Sequence, residues 1–183
     1  MTKEFDIVVH GATGFTGRLI AEYLLSRTDT GLTWAMGGRS LDKLHAVRDE
    51  IGAPASTPLV VIESSDEASL KSLMSRTRLV ISAVGPYQLY GNELVKACAE
   101  SGVDYVDLCG EPAWMRQMID QHQATAEKSG ARLVFSCGFD SSPFDLGVFM
   151  AQDEMTQRFG QPAPRVRGRV RKMKGTFSGG TAA

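Results

Sequence analysis

Three glycines stand at intervals of three in Gly11-Ala12-Thr13-Gly14-Phe15-Thr16-Gly17. The apolar run Ile7-Val8-Val9 leads into them and an amphipathic stretch follows, so the pattern reads strand, tight turn, helix. Such a turn can hold a pair of phosphates. Gly11 lets the chain leave the strand sharply, Gly14 offers no Cβ to a nearby pyrophosphate, and Gly17 lets the helix pack closely on the strand. Amides at the helix start, among Thr13, Phe15 and Thr16, then face the phosphates, and the helix dipole favours their charge. The competing reading is a glycine-rich turn with no ligand.

Further along, Gly37-Gly38-Arg39-Ser40 places Arg39 22 residues after Gly17. In dinucleotide folds an acid near this position binds the 2′-hydroxyl of NAD, and an arginine accommodates the 2′-phosphate of NADP. Ser40 can cap the following helix or bond the same phosphate. The alternative makes Arg39 a solvated loop residue and Asp42 the ribose acid. Asp66 follows the third strand-like run, where it could contact adenine or cap a helix. Ala83-Val84-Gly85-Pro86 forms a small-residue wall for a nicotinamide ribose. Tyr87 is a contact or a half-buried rim aromatic. Asp140 and Ser141 belong to a polar turn rich in special backbone residues, and Asp140 is the candidate to face the cofactor. Tyr87, Glu111 and Ser141 are the nominees for acid–base work, although Glu111 can equally start a helix. No G-x-S-x-G elbow supports a nucleophilic serine. Cys137 reads as a buried, inert thiol.

These residues need a scaffold. Strand patterns at Phe5–Val9, Thr33–Gly37, Leu59–Glu63, Leu79–Val84, Tyr105–Leu108 and Arg132–Ser136 alternate with helical ones. In the first helix Phe15, Leu19, Ile20, Tyr23 and Leu24 share a face. Later helices are expected at Leu41–Ile51, Glu67–Ser75, Glu93–Ser101, Ala113–Ser129 and Phe144–Phe159. Alternation of this kind gives right-handed βαβ units: an α/β, Rossmann-type doubly wound parallel sheet with its ligand beyond the carboxyl ends of the strands.

The bulk properties agree. The 183 residues are 43% hydrophobic, which suits one domain with a core. No apolar run is long enough to span a membrane, and no signal peptide is expected before the first strand. The cysteines Cys98, Cys109 and Cys137 show no metal or redox spacing, which fits reduced thiols in a cytoplasmic protein. After Gly160 come six basic residues and no acidic ones, so the remaining 14 basic and 21 acidic residues give residues 1–160 a charge of −7. The run from Arg165 to Arg171 alternates charged with small or apolar residues, the period of a strand with one solvated face rather than a nucleic-acid surface.

Several of these segments together resemble the saccharopine dehydrogenase-like oxidoreductases, including the trans-acting enoyl reductases. They are the glycine turn, Gly38-Arg39-Ser40, Ser82 to Tyr87, Asp107-Leu108-Cys109-Gly110-Glu111, Gly138-Phe139-Asp140-Ser141-Ser142-Pro143 and Gly175 to Thr181. The resemblance implies an N-terminal Rossmann domain (residues 1–160) followed by an α+β domain, of which residues 161–183 are the linker and first strand. It also implies NADPH as hydride source, preferred over NADH, and an unsaturated or imine carbon as acceptor, in a small or lipid-like substrate. A strand without partners would be poorly ordered or would pair with a second copy, a route to a homo-oligomer. A non-enzymatic NADP(H)-binding redox sensor remains open from sequence.

Overall fold

A computed structural model describes residues 3–27, 31–172 and 174. Six parallel strands form one sheet in the order β3-β2-β1-β4-β5-β6. They are β1 (Phe5–His10), β2 (Trp34–Gly38), β3 (Leu59–Val61), β4 (Thr77–Ser82), β5 (Asp104–Asp107) and β6 (Leu133–Val134). The helices are α1 (Phe15–Ser26), α2 (Leu41–Glu50), α3 (Glu67–Arg76), α4 (Tyr87–Tyr90), α5 (Asn92–Ser101), α6 (Pro112–Ser129) and α7 (Ser142–Phe159). The order reverses between β1 and β4. That is the switch point where ligands of such sheets bind.

Alternation along each strand divides the core in two. Val8, Ala35, Val60, Val80 and Tyr105 join residues of α3, α5 and α6 on one face. Val9 and Met36 join Ala21 of α1 and Leu44 of α2 on the other. Cover on this second face stops partway across. Val9, Ile81, Val106 and Val134 lie side by side in register. Val9 is buried, Ile81 and Val106 are half-buried, and Val134 is exposed.

Three expectations are corrected. First, only part of the expected α1 face is covered: Ile20 and Leu24 pack against the core, Phe15, Leu19 and Tyr23 are exposed, and the fully buried residues are Gly17 and Ala21. Small side chains win here because the helix lies almost on the β1 turn. A Cβ on Gly17 would sit 2.0 Å from the Gly11 carbonyl oxygen. Gly17→Ala should therefore lower stability by about 1–3 kcal/mol, the usual cost of overpacking, read as a lower Tm in thermal unfolding.

Second, β4 occupies Thr77–Ser82 rather than Leu79–Val84. Thr77 is buried and pairs with Phe5, and the chain turns out of the sheet at Ala83.

Third, the alternating residues 165–171 form no strand. A strand pattern needs a neighbouring strand to bond to, and among the described residues none pairs with this stretch. The residues from Gly175 to Thr181 lie outside the described ones.

Helix α7 has no buried residue. Phe149 and Met150 are 68% and 70% exposed. At about 100° per residue, Phe144, Leu146, Val148, Phe149 and Met150 cover roughly two-thirds of the helix circumference. A helix apolar on so many sides is built to be enclosed.

Candidate cofactor site

The glycine turn follows directly from β1. Gly11 adopts φ +89°, the left-handed region open to glycine. Its N–H and that of Ala12 both donate to the Gly37 carbonyl, at 2.9 and 3.0 Å, tying the turn to β2. A Cβ on Gly11 would lie 2.8 Å from Val84 Cγ2, so the turns after β1 and β4 touch.

Between these turns opens a cleft of about 910 Å³. Gly11, Thr13, Gly14 and Arg39 line it, and Ala83, Val84, Gly85 and Pro86 form a wall that includes a cis Gly85–Pro86 bond. His10, Glu63, Ser64 and Ser65 also line it, as do Leu89, Tyr90, Asn92 and Glu93.

These residues fit a dinucleotide. Ser40 caps α2 by accepting from Lys43 N–H, and Asp66 caps α3 by accepting from the Ala68 and Ser69 amides. Helix α1 has no such cap: Gly14 supplies no side chain, and its first turn contains no acid. Its first amides are therefore available to an anion, at the wall of the cleft. A cleft of this size also lies in the range of cofactor sites.

The structure sorts the other expected residues. Phe15, Thr16 and Gly17 do not line the cleft with their side chains; what they offer is the amide end of α1. Arg39 is exposed at the cleft edge. Among the described residues no ion pair to it is seen, so nothing competes with a phosphate for its guanidinium. Ser40 and Asp66 serve as helix caps. Asp140 is exposed and Ser141 half-buried at the start of α7, away from the cleft lining.

Tyr87 is buried rather than a rim aromatic. Its hydroxyl donates to the Ser82 carbonyl at 3.0 Å, its ring lies 5.5 Å from that of Trp114, and burial pushes its pKa well above the ordinary phenol value. Glu111 accepts from the Tyr87 and Gln88 amides at 2.7 and 2.9 Å. It satisfies the free amides of the short helix α4, so its carboxylate is committed to holding the wall behind Pro86. Cys137 is exposed rather than buried.

The side chain of Asp107 is buried and accepts from Tyr105 Oη at 2.8 Å and from the Cys109 and Ser136 amides at 3.0 and 2.8 Å. Burial nonetheless raises its pKa. Its three bonds fix the turns after β5 and β6.

Sequence reasoning missed His10, Glu63, Ser64, Ser65 and the Leu89–Glu93 segment. The signal for Glu63 to Ser65 was their position just after β3. His10 was counted as strand, and α4, a single turn, leaves no periodic trace. Among the described residues there is no His, Cys, Asp or Glu cluster able to hold a metal and no helix long and apolar enough to cross a membrane.

A parallel sheet with a glycine turn, an uncapped helix start and a cleft at the switch point defines a dinucleotide-binding Rossmann domain. Residues 7–134 match the saccharopine dehydrogenase NADP binding domain, and the chain belongs to that family. NADP is its cofactor. Trans-acting enoyl reductases of Mycobacterium ulcerans and Mycobacterium leprae are 48% identical over 147 residues and 45% over 148, in each case 80% of this chain and 35% of theirs. A Mycobacterium tuberculosis relative is 43% identical over 182 residues, 99% of this chain. The chain spans 43% of that relative's length. Among solved structures, the apo saccharopine dehydrogenase (L-Glu forming) of Saccharomyces cerevisiae has a similar fold, with TM-score 0.65 and 17% identity over 84% of this chain and 32% of its own. The Citrobacter triphenylmethane reductase complexed with NADP(H) has TM-score 0.52 and 15% identity, covering 81% of this chain and 55% of its own.

Proposed function

We propose that this chain is the NADPH-binding part of a reductase that delivers hydride to an unsaturated or imine carbon of a small or lipid-like substrate. The observation that carries this reading is the cleft itself. It is lined by the glycine turn at Gly11–Gly14, the cation at Arg39 and the small-residue wall at Ala83–Pro86. The enoyl reductase relatives, alike over 80% of the chain, support the choice of acceptor.

NADPH, when bound, supplies the hydride. The chain's residues bind and orient it. Amides at the start of α1 take the pyrophosphate, Arg39 takes the 2′-phosphate, and the Ala83–Pro86 wall sets which face of the ring is open. Glu111 keeps that wall in place through the Tyr87 and Gln88 amides. Tyr87 is already bonded to Ser82 and Glu111 is already bonded to those amides, so neither delivers the proton. Ser141 is not among the residues that line the cleft.

The surfaces left open support a reading of the domain organisation. We read residues 1–160 as the Rossmann domain and residues 161–183 as the lead into a second one. The half-covered row Ile81, Val106 and Val134 and the apolar circumference of α7 support that reading, as does the greater length of the relatives. Water exclusion and substrate binding then belong to the second domain.

Two proteins test this: the chain alone, and the chain joined to the C-terminal remainder of the Mycobacterium tuberculosis relative. Both should bind NADPH by fluorescence. Only the longer should consume it with an enoyl thioester, followed as absorbance loss. Robust turnover by the 183-residue chain alone would overturn the two-domain mechanism.

A further inference from the structure

His10 is the last residue of β1, is 2% exposed, and lines the cleft. Its Nε2 lies 2.9 Å from Ser64 Oγ. Its Nδ1 is buried and has no hydrogen-bond partner among the described residues. Ser64 follows β3, which is separated from β1 by β2. The residue of β2 opposite His10 is Gly37. The imidazole thus reaches past β2 to Ser64, while a Cβ at Gly37 would meet Ile62 Cδ1 at 2.5 Å and Val8 Cγ1 at 3.2 Å.

Chemistry fixes the direction of that bond. A neutral imidazole carries one N–H. If the proton were on Nδ1, a buried N–H would be orphaned, which native structures avoid more strictly than an unused acceptor lone pair. The proton therefore belongs on Nε2 and is donated to Ser64 Oγ. Burial keeps the ring neutral by holding its pKa at about 4, with Arg39 lowering it further and Glu63 opposing. With its oxygen accepting from His10, Ser64 must aim its own O–H elsewhere. Ser64 is half-buried and lines the cleft. Its neighbour Glu63 is already engaged by the Ser65 hydroxyl at 3.0 Å.

The geometry points to Ser64 as the hydrogen-bond donor that reads an adenine ring nitrogen of the cofactor, with His10 as the positioning residue that turns its hydroxyl into the cleft. Adenine suits this donor because its ring nitrogens are bare acceptors. The inference rests on the reading that seats the adenosine 2′-phosphate at Arg39, on the same side of the cleft.

The probe is adenosine 2′,5′-bisphosphate, the adenine and 2′-phosphate half of NADP, titrated by calorimetry into the chain. Ser64→Ala should weaken binding about tenfold, the size of one hydrogen bond to a buried acceptor. Ser64→Thr, which keeps the hydroxyl, should restore it. His10→Phe should weaken binding as well. The His10→Phe/Ser64→Ala double variant should be no weaker than Ser64→Ala alone, because the two act through one bond. The NADPH-to-NADH affinity ratio should stay unchanged in Ser64→Ala, since that ratio reads Arg39. Wild-type binding with an unaltered affinity in Ser64→Ala would overturn the assignment while leaving the adenosine site intact. No binding of the bisphosphate by wild type would sink the Arg39 reading and this inference with it.

Discussion

Gly14→Val should abolish NADPH binding and leave the fold standing. Gly14 has φ −86° and ψ 167°, an extended conformation that valine adopts readily. A Cβ there would meet only the Gly11 carbonyl oxygen, at 3.4 Å. The protein therefore has room for the side chain. The cofactor does not, because Gly14 lines the cleft beside the free amides of α1. A pyrophosphate pushed off those amides loses at least two charge-assisted hydrogen bonds, each worth roughly 1.5–3 kcal/mol, or about 100-fold or more in affinity. Calorimetry should show no saturable binding, while circular dichroism and Tm stay close to wild type. A folded Gly14→Val protein with unchanged NADPH affinity would remove the phosphate from this turn. The contrast with Gly17, six residues past Gly11, is instructive. There a methyl group meets backbone, so the damage falls on stability rather than on binding.

Arg39→Asp should reverse the nucleotide preference. The exposed guanidinium lines the cleft one residue past β2. A charge-assisted contact with the 2′-phosphate contributes about 1.5–3 kcal/mol, a factor of roughly ten or more in favour of NADPH. Aspartate replaces that attraction with repulsion and offers an acceptor to the ribose hydroxyls of NADH. Fluorescence titration of both nucleotides into wild type and variant reads the two ratios. If wild type binds NADH as tightly as NADPH, Arg39 is not the discriminating residue.

The parts of this molecule that are visible in sequence are those with local causes. The glycine spacing, the strand–turn–helix context and the position of Arg39 all follow from backbone geometry within a few residues. So does the βαβ alternation that places the cleft. What sequence conceals depends on partners distant along the chain. His10 reads as one more strand residue until the fold brings it to Ser64, 54 residues away. Tyr87 and Glu111 look reactive because tyrosine and glutamate often are, yet each is occupied by backbone groups that only the fold brings near. The helical face of α1 is only partly legible: Ile20 and Leu24 pack on the core, but close packing on a turn buries Gly17 and Ala21 in place of Phe15, Leu19 and Tyr23. The alternating arginines after Gly160 state a strand period, but a period without a partner strand does not make a sheet.

Amide chemical shifts of the 15N-labelled chain during an NADPH titration test the central claim most directly. Saturable changes should concentrate at Gly11 to Gly17, Gly38 and Arg39, Ser64 and Ser65, and Ala83 to Gly85, with the β6 edge at Leu133 and Val134 unaffected. Saturation that moved the β6 edge and left the glycine turn and Arg39 still would contradict it.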